Sequence, residues 1–588
     1  MPDIFIPFVT NQTTNQQPRR IVIDPLTRVE GHLRVEAQIE GGRVVDAWVS
    51  STMFRGIEKV LVGRDPRDAW AIAQRICGVC TTVHSIASVR AVENALGITP
   101  PDNARLVRNL MEGAQFIQDH VIHFYHLHAL DWVDITAALR ADPAVTSRLA
   151  VSLSPWPKSS AEYFGAVRAR LQKVVDSGQL GLFANGYWGH PGYILPAEVN
   201  LLAVAHYLEA LDWQREYIKL HAILGGKNPH PQTYLVGGMA IPVDKNSAAG
   251  INPTRISQMR ALIQRGQEFV TQVYLPDVKA IAGFYKTWAA LGAGPGNYLS
   301  FGDFPQAADG SVASYYLPQG VVLGDNLAAP PQALDQTRIT ESIAHAWYSY
   351  TNGSAGALHP DQGQTTPNYT GPQPPYQNLD TGGKYSWVKA PRYNGQPMEV
   401  GPLARVAVAY AAGHTRVREL VNGLLSELGL PASGLNSTLG RIAARAVETQ
   451  ALGEQMPVWL NSLEANMNAG INAVHNGTKW DPATWPAGAS GWGTTEAPRG
   501  ALGHWLGFAS GKITRYQTIM PTTWNSSPRD ERGVRGPFEQ SLIGLPVSDP
   551  ERPVEILRTI HSFDPCMACA VHLLDASGKP TGITVRVG

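Results

Sequence analysis

Arg75-Ile76-Cys77-Gly78-Val79-Cys80-Thr81-Thr82-Val83-His84 and Asp564-Pro565-Cys566-Met567-Ala568-Cys569-Ala570-Val571-His572 together contain all four cysteines of this 588-residue chain. One CxxC pair lies near each end, with no cysteine between them. CxxC spacing lets two sulfurs reach one metal from a single turn, and thiolates select zinc, Fe–S clusters, copper(I) or nickel. Two pairs can close one four-sulfur site, provided the fold brings both chain ends to its centre. A structural zinc site is an alternative, although such sites staple short segments whose cysteine pairs lie about 15–20 residues apart. A chain of this length has ample core without a staple. Two short-loop disulfides, or thiol redox chemistry, are further alternatives. A histidine follows each pair: His84 after Cys80 and His572 after Cys569.

Lys+Arg and Asp+Glu both number 48, so the net charge is zero. That removes the electrostatic case for nucleic acid or an anionic membrane surface as partner. Charged residues make up 16% of the chain, against about 25% in an average soluble domain. This suits a subunit that buries surface against a partner, and equally a large protein with a high core fraction. No run reaches the roughly 20 apolar residues of a membrane span. The nearest is Leu403-Ala404-Arg405-Val406-Ala407-Val408-Ala409-Tyr410-Ala411-Ala412, which Arg405 interrupts. Met1 to Gln17 is polar and lacks an apolar signal core, which by itself reads as cytoplasmic.

Residues 1–18, rich in Asn, Gln and Thr, read as an arm. Residues 19–52 alternate with period two around Gly41-Gly42 and predict strands. Asp65-Pro66 is a helix start that leads into Cys77, with Asp as N-cap and Pro at the first helical position. His84 to Leu96 predicts a helix stopped at Gly97. A long helix is predicted over 102–140. Its His120, His123, His126 and His128 read as packed, hydrogen-bonded histidines rather than metal ligands. Helical periodicity recurs over 197–223, 254–290, 334–350, 402–428 and 437–469. Residues 292–400, rich in Gly, Pro, Tyr and Asn, predict irregular loops with short strands. With no repeat and no clean linker, the expectation is one integrated unit over 19–572, mainly α with small peripheral β-sheets, an α+β fold.

Arg-x-Cys-Gly-x-Cys-x-x-x-His near the N-terminus with Asp-Pro-Cys-x-x-Cys-x-x-His near the C-terminus resembles the large subunit of NiFe hydrogenases. The resemblance extends to Arg28-Val29-Glu30-Gly31-His32, Arg55-Gly56-Ile57-Glu58, Asp65-Pro66-Arg67-Asp68-Ala69-Trp70, Ala497-Pro498-Arg499-Gly500 and Pro521-Thr522-Thr523-Trp524-Asn525. It is strongest toward uptake hydrogenases at the outer face of the bacterial cytoplasmic membrane. It implies the NiFe hydrogenase large-subunit fold and heterolytic cleavage of H2 to two protons and two electrons. It also implies that Cys77, Cys80, Cys566 and Cys569 bind nickel, with Cys80 and Cys569 bridging to an iron that carries CO and CN− ligands. Arg499 is then expected over the metals, paired with Asp119 and Asp564. Pro498 would wall the pocket, Thr522 would donate to a cyanide and His84 would bond a bridging sulfur. Glu30 reads by base rates as an ordinary strand glutamate; the resemblance makes it the first proton acceptor. Glu58, the Thr518 carbonyl and His572 match a magnesium site, iron in some members.

The family's mature chain ends at the histidine of the C-terminal motif, so Leu573–Gly588 reads as an extension of a precursor. Its removal by a dedicated endopeptidase after nickel insertion is the expectation. With every cysteine at one site, none is left for an Fe–S wire. A cluster-bearing small subunit is therefore required, with a large interface and export alongside that subunit to the periplasmic side. A membrane cytochrome or quinone-linked acceptor and a higher oligomer are also implied. Other readings are a metal-free respiratory complex I subunit of the same fold, disfavoured by the intact cysteine pairs, a zinc-stapled scaffold and, within hydrogenases, a cofactor-reducing cytoplasmic type or a hydrogen sensor.

Overall fold

The computed structural model describes residues 18–184, 186–372 and 378–567. The expected arm before Pro18, the pair members Cys569 and His572, and the segment Leu573–Gly588 lie outside the described residues. A helical core carries small antiparallel sheets, as the α+β reading expects.

Three strands, Arg19–Ile23, Leu33–Glu40 and Arg43–Ser51, form the predicted N-terminal sheet. Glu40 pairs with Arg43 across Gly41-Gly42, whose φ angles of 56° and 73° suit the two-residue hairpin turn that glycine favours. This hairpin docks on the other end of the chain: Val44 N donates to Leu545 O at 3.0 Å, and Val547 N donates to Gly42 O at 2.9 Å. Asp65 caps its helix by accepting from Arg67 N, with Pro66 first in line. The chain then runs through Ala69–Ala73 and the turn Gln74–Ile76 into Cys77. The helix after the first cysteine pair covers Val83–Leu96 and ends at Gly97 with φ 66°.

The predicted 102–140 helix is shorter. It is α-helical over Asp102–Ile122 and widens to a π-turn over His123–His128. There the histidines reach acceptors on other segments: His123 lies 2.6 Å from His561 O, His126 3.1 Å from Tyr207 O and His128 3.0 Å from Arg558 O. All four predicted packed histidines are hydrogen-bonded, His120 to Glu448 at 2.7 Å. The 31-residue helix Thr438–Asn468, capped by Ser437, packs on Asp102–Ile122. Residues 334–350 are not α-helical: after one 3-10 turn at Gln336–Arg338, Ile339–Ser342 and Tyr348–Tyr350 are strands, paired with Ala390–Tyr393 and Thr365–Pro367.

One small sheet is interior rather than peripheral. Its strands Gly488–Ala497, Gly500–Ala509 and Lys512–Ile519 form a meander whose central strand is buried to Phe508. It lies against the Val83–Leu96 helix at backbone distance, since a Cβ at Gly493 would sit 2.1 Å from Ala87 O. Glycine is therefore what lets the strand leading to Arg499 approach the helix leading away from Cys80. Among the described residues no helix is long and apolar enough to cross a membrane.

Candidate metal centre

The fold brings the two chain ends together. Cys77, Cys80 and Cys566 are buried, with their sulfurs within 4.8 Å of one another. Cys77 Sγ and Cys566 Sγ lie 3.5 Å apart, far beyond the about 2.05 Å of a disulfide bond. The N-terminal pair is shaped by its own loop, where Val79 N–H and Cys80 N–H donate to Cys77 Sγ at 3.3 and 3.0 Å. Such donors favour the thiolate form. The rim residues Gly78 and Val79 are exposed while the sulfurs are not.

Cys566 is held from a distance. Glu30 and Cys566 form a parallel bridge, and Met567 N donates to Glu30 O at 2.6 Å. Cys566 N donates to Thr522 Oγ1 at 3.1 Å. That bond uses Thr522 as an acceptor and leaves its hydroxyl proton to donate elsewhere. The Glu30 carboxylate reaches the same cysteine, with Oε2 3.3 Å from Cys566 Sγ.

Arg499, buried at the turn between two strands of the interior sheet, extends between two carboxylates. Its Nη1 donates to Asp119 at 2.9 Å and its Nη2 lies 3.1 Å from Asp564. Burial opposes its charge, but Asp564, Asp119, Cys566 and Cys80 together hold the guanidinium well above its ordinary range. Burial also pushes Asp119 up to about 7 against the pull of Arg499, with Asp564 adding to the rise. Two carboxylates thus share one guanidinium. Arg499 Nε is buried and has no hydrogen-bond partner among the described residues. Pro498 is buried beside it. His84 shares a 3.1 Å hydrogen bond with His504, which in turn bonds Tyr516 at 2.7 Å.

Glu58 and Thr518 also come together: the Thr518 N–H and hydroxyl donate to Glu58 Oε1 at 2.8 and 3.0 Å. They border a cavity of about 160 Å³ that Glu341, Lys389 and Gln517 also line. Lys389 donates to Glu341 at 3.2 Å and to Gln517 at 3.1 Å. Burial raises the Glu341 carboxyl, Lys389 pulls it down and Glu58 raises it further. Glu341 and Lys389 escaped the sequence reading because they fall in and after the stretch misread as helix.

The donor sets fit the groups the motifs imply. Three clustered sulfurs, with a fourth cysteine three residues after Cys566 in the sequence, suit a soft transition metal. An orphaned guanidinium N–H beside them suits a centre that presents an acceptor. Carboxylates around a cavity with room for water suit a hard divalent cation.

The family profile "Nickel-dependent hydrogenase" matches residues 55–572, and a "HoxL-like" profile matches 20–52. The uptake hydrogenase large subunit of Rhizobium leguminosarum bv. viciae is 52% identical over 581 residues, covering 96% of this chain and 97% of that one. The hydrogenase-1 large chain of Escherichia coli K12 is 49% identical, covering 98% of each. Among solved structures, the Ni-Fe-Se hydrogenase of D. vulgaris Hildenborough superposes with a TM-score of 0.75 at 34% identity, covering 95% of this chain and 100% of that one. The fold and site thus define a nickel-dependent, H2-converting oxidoreductase. More narrowly, the chain belongs to the nickel-dependent hydrogenase large-subunit family, whose member chains carry the catalytic centre.

Proposed function

We propose that this chain is the H2-oxidising subunit of an uptake hydrogenase. In this reading Cys77, Cys80, Cys566 and Cys569 would hold nickel, and Cys80 and Cys569 would also serve as ligands of an iron bearing CO and CN−. The observation that carries the proposal is Cys566 Sγ, 3.5 Å from Cys77 Sγ and 3.3 Å from the Glu30 carboxylate. This contact supports reading the cysteines as a thiolate cluster with Glu30 as its proton acceptor. When bound, the Ni–Fe centre supplies the soft, redox-active site at which H2 is polarised and two electrons are taken up. The chain's own residues do the rest. Glu30 takes the proton from the neighbourhood of Cys566 and passes it on. Arg499, anchored by Asp119 and Asp564, offers its remaining N–H groups to the cyanide side of the pocket, Pro498 walls it, and the Thr522 hydroxyl donates from the opposite segment. His84 orients a bridging sulfur. Glu58 and the Thr518 carbonyl, with His572, hold magnesium or iron(II).

In this reading the chain's four cysteines are all used at one centre, so electrons leave through another chain. An Fe–S small subunit is the partner, passing electrons to a membrane cytochrome or quinone-linked acceptor. The pair works at the periplasmic side of the cytoplasmic membrane as a peripheral, higher oligomer. Nickel-insertion proteins load the site, and an endopeptidase then removes Leu573–Gly588.

Metal analysis of the purified complex, with an infrared spectrum in the CO/CN− region, tests the reading. Expected are nickel at one per large subunit and both classes of band. Zinc without those bands would make the cysteines structural and end the proposal.

A further inference from the structure

Arg405 sits in the most apolar stretch of the chain and is completely buried. Burying a guanidinium is costly unless its charge is balanced and every N–H is bonded. Both conditions are met. Nε donates to Glu448 Oε1 at 2.5 Å and Nη2 to Glu448 Oε2 at 2.7 Å. Nη1 donates to Glu496 at 2.8 Å. The two remaining N–H groups go to backbone carbonyls, Ala497 O at 2.8 Å and Pro498 O at 2.9 Å. The Glu448 carboxylate alone would already balance the charge. The carbonyl bonds add something else, because Ala497 and Pro498 are the two residues immediately before Arg499.

Two further contacts converge on the same point. The helix carrying Arg405, Pro402–Ala411, begins at Gly401, and its backbone touches the Arg499–Gly500 turn. A Cβ at Gly500 would sit 2.5 Å from Gly401 N, and one at Gly401 would sit 2.9 Å from Arg499 O. Glu448, forked by Arg405, also bonds His120 at 2.7 Å, and His120 is next to Asp119, the carboxylate that receives Arg499. One buried side chain therefore holds the backbone that launches Arg499 and, through Glu448 and His120, the helix turn that receives it.

We propose that Arg405 is a positioning residue for Arg499, fixing where the Arg499 guanidinium lies relative to the cysteine cluster. The idea rests on the reading of Arg499 as the guanidinium beside the metal centre. A lysine offers three donors with no fork, so Arg405→Lys keeps the charge but cannot hold both carbonyls and both carboxylates.

The test compares Arg405→Lys, Arg499→Lys and the double variant in the complete, metal-loaded complex, by infrared spectrum, metal content and H2 oxidation. Arg405→Lys is expected to retain nickel and iron, to shift the CN− bands in the same direction as Arg499→Lys, and to lower kcat about tenfold, the scale for residues supporting metal-site groups. The double variant should fall no further than Arg499→Lys alone. Unmoved CN− bands in Arg405→Lys beside shifted ones in Arg499→Lys, or losses that multiply in the double variant, would overturn this inference alone. Unmoved bands in Arg499→Lys would overturn the reading beneath it as well. If Arg405→Lys does not accumulate, R405M/E448Q/E496Q, which removes the cation and neutralises both carboxylates together, takes its place with the same expected band shift.

Discussion

Cys77 and Cys566 lie 3.5 Å apart, yet the sulfur of the first takes N–H donors from its own loop while the second is placed by segments from across the chain. Cys77 follows a single turn, and its sulfur takes two N–H groups from the next three residues. Cys566 takes its position from Glu30, more than 500 residues earlier, and from Thr522. The donors to the Cys77 sulfur are local, although the backbone of its loop is also braced from outside, by Gln115, which donates to Val79 O at 2.6 Å, and by His230, 3.1 Å from Cys77 O. The remote half needs the N-terminal sheet, the interior sheet and the C-terminal segment to be docked. Changes at Glu30 and Thr522 should therefore disturb the Cys566 side first.

The largest effect is expected at the sulfurs themselves. Cys77→Ser and Cys566→Ser should each lower nickel content to background and abolish H2 oxidation, because a hydroxyl is a poor ligand for a soft metal. Metal analysis beside an activity assay checks this, and either variant retaining full nickel would break the account of the cluster. Glu30→Gln comes next. Its tethers to the Cys566 segment, Glu30 N to Pro565 O and Met567 N to Glu30 O, run through the backbone, and the side chain adds the Oε2 contact to Cys566 Sγ that glutamine can keep, so nickel should stay while H2 oxidation falls about 10²–10⁴-fold, the range for losing a positioned proton acceptor. Loss of nickel together with activity would make Glu30 a structural tether instead. Thr522→Val keeps the shape but removes the acceptor for Cys566 N–H. A decrease of about 10-fold in activity is expected, and a wild-type rate would show that the remote half holds without it.

The same contrast governs what the sequence could reveal. Signals that act within a few residues were legible. Gly41-Gly42 marked a hairpin, Asp65-Pro66 a helix start, Gly97 a helix end, and the cysteine spacing a shared site joining the chain ends. Residues 334–350 misled because Ile339, Ile343 and Tyr350 mimic a helical stripe, while the partners that make strands of this stretch, Thr365–Pro367 and Ala390–Tyr393, lie elsewhere in the chain. The interior sheet over 488–519 went unread because its glycines resemble loop residues. At Gly493 the glycine instead allows the backbone-to-backbone approach to the Val83–Leu96 helix. Arg405 was visible only as an interruption of an apolar run. Its partners Glu448 and Glu496 lie in distant segments, and nothing local announces them.

The smallest effect separates docking from catalysis. Glu539 joins the C-terminal region to the N-terminal sheet away from the metal cluster. Its carboxylate is buried and accepts from Val49 N at 3.1 Å and Tyr385 OH at 2.9 Å. Burial pushes it from 4.5 up to about 7, against Val49 N–H and Arg529. The folded chain therefore keeps this proton to higher pH than the unfolded chain does. Between about pH 4.5 and 7 the native state binds more protons, so this group makes stability fall as pH rises through that window, and the contribution is constant above it. The full shift corresponds to a cost on the order of 3 kcal/mol at neutral pH, at about 1.36 kcal/mol per pK unit. Glu539→Gln keeps the size and the acceptor but cannot ionise. Its stability relative to wild type should rise across that window, measured by urea unfolding of the complex at a series of pH values, while the CO/CN− bands stay fixed. Parallel curves would mean that Glu539 is ionised throughout, with Arg529, 3.7 Å away, carrying its charge. The seam between the chain ends would then be an ion pair rather than a proton-holding contact.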